Sequence, residues 1–303
     1  MTNYQGRLCP ELYAAILGQL WNDHEALRTF SLSCHILRPL AQELLFKKII
    51  VTFGVTLRFG IRGSRLKTIL ATSPHIGAYV EVLEIIELGT PAGHCSWFLH
   101  NDLSEEVING FGEDESPASD TSLSFCLPLL PRLKALSTNL YYPIFIKRYW
   151  ASIKQTGLLA SLVTTMSLSS LTCLVVGGIP LALISYCPNL RYLWLAYLLE
   201  SDHNDEKMWF AVHITPSPNR IQLQSLAVDQ SLTDCFTEGF LSQTVDLSAL
   251  KTLFIKYGAV EQTDVQAFIE PCVNSVEELI FDPFHEGMIA LPIFLTSIDV
   301  LYM

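Results

Sequence analysis

The atom types best suited to hold a metal gather at His94, Cys95, His100 and Asp102. Imidazole nitrogen, thiolate sulfur and carboxylate oxygen are all zinc donors, and three of them with a bound water would make a metal-dependent hydrolase. Their spacing matches no recurring ligand pattern, and no second Cys/His pair answers them nearby. A loop with incidental polar residues is the simpler reading, so no metal and no cofactor is expected. The chain also lacks a Gly-x-Ser-x-Gly elbow, a phosphate-binding Gly-Lys-Ser/Thr loop, a Gly-x-Gly-x-x-Gly turn and a His-Glu-x-x-His pair. Without these signatures an enzyme is not expected, and the chemistry to look for is recognition.

The elements that could recognise something begin with the stretch from Cys9 to Val51. Pro10 suits a first helical turn, and Leu12, Ile16, Leu17 and Leu20 recur at helical spacing, which predicts an amphipathic helix to Leu20. Asn22 with Glu25 three residues on is a capping-box-like start, and Leu27, Phe30 and Cys34 continue the stripe of a second helix. Pro39 closes that helix or opens a third, in which Leu40, Leu44, Leu45 and Phe46 form the buried face. Three short helices enclose little surface, so part of this apolar area needs a partner or the rest of the chain.

At these residues the sequence resembles an F-box, the motif that docks substrate receptors onto the Skp-type adaptor of SCF ubiquitin ligases. The resemblance covers residues 9 to 46. It lies in Pro10-Glu11-Leu12, Ile16-Leu17, Leu20, Asp23, Leu27, Ser33-Cys34 and the run Leu40 to Phe46. Arg38 to Gln42 followed by Leu45-Phe46 is similar to the variant common in fungal F-box proteins. Cys9 stands where that family usually has Leu, and His35 where Arg or Lys is common. The resemblance implies adaptor contacts from Pro10, Glu11, Leu12, Ile16, Leu17, Leu20 and Leu27, with Leu40 and Phe46 behind them. The plainer alternative is a helical cap over the open end of a repeat domain.

The remainder carries a repeated unit, apolar-x-x-Leu-x-apolar. Its copies are Val80-Leu83-Ile85, Leu133-Leu136-Thr138, Leu171-Leu174-Val176, Leu190-Leu193-Leu195, Leu223-Leu226-Val228, Leu250-Leu253-Ile255, Val276-Leu279-Phe281 and Leu295-Ile298-Val300. Successive copies start 19 to 53 residues apart, an irregular period around the leucine-rich-repeat range of about 20 to 29 residues. Each copy predicts a short strand whose alternate side chains enter a core, followed by a return segment. Ser64 to Ser73, Pro180 to Tyr186 and Asp264 to Cys272 are candidate returns, with Pro74, Pro188 and Pro271 near their ends. Residues 51 to 303 thus resemble the leucine-rich-repeat half of the same fungal proteins. The expected fold is an α/β leucine-rich-repeat solenoid of short parallel strands (51–303) behind a small all-α F-box-like segment (1–50). An ordinary α/β domain with a parallel sheet is the alternative.

Residues 110 to 122, GFGEDESPASDTS, have almost no apolar character and predict a mobile acidic loop. Glu200 to Lys207 is a second polar insertion, and Leu295 to Met303 reads as a final strand. Tyr192 and Trp194 alternate across Leu193 and should point away from the core. With Tyr197 and Tyr257 they are the candidate target-binding aromatics, and Tyr141 and Tyr142 follow another strand.

The charge is uneven. The chain's net −11 divides into residues 1 to 75, with 9 Lys+Arg against 4 Asp+Glu, and a remainder with 10 against 26. An acidic body repels phosphates, so no nucleic-acid partner is expected. Eight cysteines without a Cys-x-x-Cys pair read as reduced thiols, which suits a cytoplasmic or nuclear setting. Gln155 to Leu190 lacks Asp, Glu, Lys and Arg, but Gly177, Gly178 and Pro180 interrupt the long helix a bilayer requires, and no membrane span is expected. The resemblance implies the function: a non-catalytic receptor that binds a Skp-type adaptor, and through it a cullin ligase, and holds a target of unknown identity. A leucine-rich-repeat scaffold outside any ligase is the second reading.

Overall fold

The computed structural model describes residues 9–21, 23–53, 61–87, 121–139, 157–177, 181–195, 220–229, 244–257 and 270–283. Three helices come first: α1 (Pro10–Gly18), α2 (His24–Ser33) and α3 (Arg38–Phe46). Leu17, Leu27 and Ala41 are fully enclosed between them, with Leu20, Phe30, Leu37, Leu40, Leu44 and Leu45 half-buried around this small core. Pro39 opens α3, where its missing N–H costs nothing. The cap of α2 differs from the expectation. Asp23 Oδ1 accepts from the Ala26 N–H at 2.8 Å, while Asn22 lies outside the described residues. Asp is as good a cap as Asn, and it stands one residue nearer the first turn.

Only Lys47 separates α3 from the first strand, β1 (Lys48–Phe53). The boundary expected between residues 50 and 51 therefore falls inside a strand. The cause is an unrecognised copy of the repeated unit, Phe46-x-x-Ile49-x-Val51, in which Ile replaces the central Leu. Phe46 ends α3 and at the same time packs on the main core.

Seven further strands lie beside β1 in chain order, all parallel. They are β2 (Val82–Glu87), β3 (Ala135–Asn139), β4 (Cys173–Gly177), β5 (Tyr192–Leu195), β7 (Ser225–Asp229), β9 (Thr252–Tyr257) and β10 (Glu278–Pro283). A separate pair, β6 (Ile221–Gln222) and β8 (Val245–Asp246), forms a two-stranded parallel sheet. The register aligns the central residues into one ladder: Ile49, Leu83, Leu136, Leu174, Leu193, Leu226, Leu253 and Leu279. All but the last are at most 5% exposed, as strict alternation requires when one face meets the core. The leading residues Val80, Leu133, Leu171, Leu190, Leu223 and Leu250 are buried beside them.

A repeated backbone device holds the strands together ahead of the sheet. The Lys47 carbonyl accepts from the N–H groups of Glu81 and Val82 at 2.9 and 3.0 Å, and the Thr172 carbonyl from Arg191 and Tyr192 at the same distances. The carbonyls of Glu81, Lys134, Arg191, Gln224 and Lys251 do likewise for the strands that follow them. The second residue of each copy is thereby fixed beside the second residue of the next.

The return segments include α4 (Gly63–Thr72), which runs into a 3-10 turn Pro74–Tyr79. Next come α5 (Thr121–Cys126) with the 3-10 turn Leu127–Leu129, then α6 (Leu158–Met166) and the 3-10 helix Leu181–Tyr186. Helices α4, α5 and α6 contact one another in sequence. Gly77 is required where two returns meet, because a Cβ there would collide with the backbone carbonyl of Leu129. Gly157, at φ 75°, supplies the left-handed residue that starts α6.

Several expectations are corrected here. Thr121 and Ser122, read as the end of a mobile loop, begin α5, and Ser122 is buried. Pro74 opens a 3-10 turn as well as ending α4, and Pro271 sits within the 3-10 turn Glu270–Cys272. The uncharged stretch Gln155 to Leu190 contains the nine-residue α6, then β4 and a 3-10 helix. Among the described residues no helix is long and apolar enough to cross a membrane. Residues 110–120, Glu200–Lys207 and Leu295–Met303 lie outside the described residues.

Candidate docking surface on the helical front

The residues expected to dock an adaptor are not all placed alike. Leu17 and Leu27 are sealed in the three-helix core at 1% and 0% exposure, so they hold the unit together and do not present to a partner. Leu20 and Leu40 are half-buried around that core. Leu12 and Ile16, by contrast, are each 50% exposed, and their i, i+4 spacing places them on one face of α1. Trp21, Leu32 and Ile36, which the sequence reading did not single out, add further exposed apolar area to the same three-helix unit. Only Leu32 had a helical signal, lying on α2 away from the buried Leu27 and Ser31; Trp21 and Ile36 stand in the turns between the helices.

Pro10 is the first residue of α1. Glu11 sits in the first turn, where its own backbone N–H, and then the Cys9 thiol, hold its carboxyl below the ordinary range. An anionic Glu11 suits the positive end of α1. Phe46 faces the repeats.

The aromatic set is placed differently from expectation. Tyr192 is half-buried and packs on Val82, Ala135 and Cys173, on the sheet face opposite the main core. Trp194 shares that face by alternation but is only 6% exposed, so it is not the free surface side chain expected of it. Parity gives the face a side chain takes; it does not say whether that face is covered. Tyr257 ends β9 opposite Pro283 in register. Tyr197, Tyr141 and Tyr142 lie outside the described residues, as do His94, Cys95, His100 and Asp102.

A charged network joins the helical front to the repeats. Glu81 meets Lys134 at 2.9 Å, and Lys47 and Arg132 at 3.7 Å. Arg132 also reaches Glu43 of α3 at 3.9 Å. Lys48 meets Glu84 at 2.8 Å. Burial raises the Glu84 carboxyl above its usual range, with Lys48 acting against that rise.

None of this geometry assembles a reacting centre. Burial pushes the Cys173 and Cys187 thiols up to about 12, which leaves almost no thiolate at neutral pH. Among the described residues no group of three His, Cys, Asp or Glu could hold a metal ion. Comparison with known proteins gives no match, whether to a family model, a curated protein or a solved structure.

Proposed function

We propose that the chain is the substrate-recognition subunit of an SCF-type ubiquitin ligase. The helical front acts as an F-box that docks a Skp-type adaptor, and a leucine-rich-repeat body holds a target protein in the cytoplasm or nucleus. The observation that carries this reading is the exposure of Leu12 and Ile16 at 50% each beside a front that already encloses its own core. A simple inward cap would turn those side chains onto the first repeat. Covering the exposed half of each would contribute about 1 kcal/mol. Catalysis would then rest on proximity: the adaptor and cullin bring a loaded conjugating enzyme near lysines of the target.

The scaffold reading has its own support, because α3 packs on the first strand and on the Pro74–Tyr79 turn and Phe46 enters the main core. One experiment separates the two. The chain is co-expressed with a Skp-type adaptor, and co-purification is compared between the native protein and the pair Leu12→Asp and Ile16→Asp. The receptor reading expects a stable complex that the double change abolishes while circular dichroism is unaltered. Absence of a complex with a folded native chain would leave the scaffold reading in its place.

A further inference from the structure

The second residues of the repeated copies form a row along the N-terminal edge of the sheet, fixed laterally by the shared carbonyls. Their side chains are within reach of one another, as Glu81–Lys134 at 2.9 Å and Lys251–Glu277 at 3.2 Å show. Between those two pairs the row reads Lys134, Thr172, Arg191, Gln224 and Lys251. Every member donates hydrogen bonds and none is a carboxylate. Arg191 is exposed at the centre of the row, and among the described residues no carboxylate lies within ion-pair reach of it. Lys251 and Glu277 are 59% and 71% exposed, and an ion pair so open to water exchanges readily; Lys134 stays 41% exposed although its partner Glu81 is only 11% exposed.

The spacing selects a ligand shape. Strands lie about 4.8 Å apart, so cations on every second strand stand about 10 Å apart. A segment in the polyproline II conformation, with three residues per turn and a rise of about 3.1 Å each, brings every third side chain back to one face at about 9 Å, close to the same distance. A segment crossing these five strands with an acidic side chain at every third position would meet Lys134, Arg191 and Lys251 in turn. Gln224 would donate to an intervening carbonyl, while the Thr172 hydroxyl is already turned to the Lys134 carbonyl at 3.5 Å. Nucleic acid fits less well, because its phosphates are more closely spaced than the cations of the row.

We propose that this row is a docking strip for an extended acidic segment of a partner protein, with Arg191 as its central anchor. It names the class of target the repeats would hold and in that sense rests on the receptor reading, but its test does not involve the adaptor. The full chain is titrated, by fluorescence anisotropy, into a labelled Gly/Ser peptide with Glu at its first, fourth and seventh positions. A peptide of the same composition with the three Glu adjacent, and a thymidine oligonucleotide of equal length, serve as comparisons. The spaced peptide should bind about tenfold tighter than either and weaken with added salt. Arg191→Glu should reduce its affinity about tenfold or more, and Arg191→Gln by less, both with unchanged circular dichroism. Leu12→Asp with Ile16→Asp should leave it unaltered, so a failed adaptor complex and a failed strip are told apart. No binding, equal binding of the two peptides, equal binding of the oligonucleotide, or full affinity in Arg191→Glu would each overturn the proposal.

Discussion

At the scale of single residues the ladder of central leucines shows how strongly position governs cost. Leu193 is 2% exposed in mid-sheet, whereas Leu279, its counterpart on β10, is 44% exposed. Leu193→Ala should cost about 2–5 kcal/mol through lost burial and a residual cavity, and Leu279→Ala about 1 kcal/mol, read as shifts in urea midpoint. Glu84 gives a second residue-level prediction, in which the sign runs opposite to a paired surface carboxylate. Burial raises its folded pKa above the ordinary carboxylate range, with Lys48 acting against that rise, so the folded state holds its proton more tightly than the unfolded state does. Its contribution to stability is full below about 4.5 and is lost as pH rises through the folded value. Glu84→Gln should therefore raise Tm more at pH 7 than at pH 5, and an equal change at both would contradict this assignment. These residues were legible in unequal measure. The ladder followed from a period of two and one repeated pattern, while the Glu84 burial depended on what covers the opposite face, which no pattern encodes.

At the scale of elements, local signals located helices well where a stop or start residue stood in the right place. Pro10 and Pro39 open α1 and α3. Asp23 caps α2, so Asp23→Ala should lower stability by about 1 kcal/mol in chemical unfolding, and Asp23→Ser should restore most of it. The first strand went unread because Ile49 takes the place of Leu and because Phe46 serves two elements, as the end of α3 and as the leading residue of a repeat. Helix α5, with six residues, is too short to show a period, and it follows a polar stretch that masks its start. The run of α6 carried no charged residue, only Ala160, Thr164 and Ser167 along its exposed side, so its membership of the array could be judged only from the copies on either side.

At the scale of the molecule, one strand per unit is added in chain order to the eight-stranded parallel sheet, and the chain passes from a three-helix front with its own core into that sheet with only Lys47 between α3 and β1. Phe46 packing, the Glu81 cluster and the Arg132–Glu43 contact bind the front to the first units. A partner seated on α1 and a target seated on the repeats would therefore be held by one continuous body with no flexible linker at the junction. The uneven charge was visible in the sequence. The basic row along one edge of an acidic chain required the register, because its members are far apart in sequence and meet only when the strands are aligned. The central claim is that α1 is a docking face. The measurement that tests it most directly is hydrogen exchange of the full chain with and without a Skp-type adaptor. The account predicts slowed exchange across Pro10–Gly18, with β4, β5 and β7 unchanged. Unchanged exchange in α1 at saturating adaptor, or protection confined to the repeats, would contradict it.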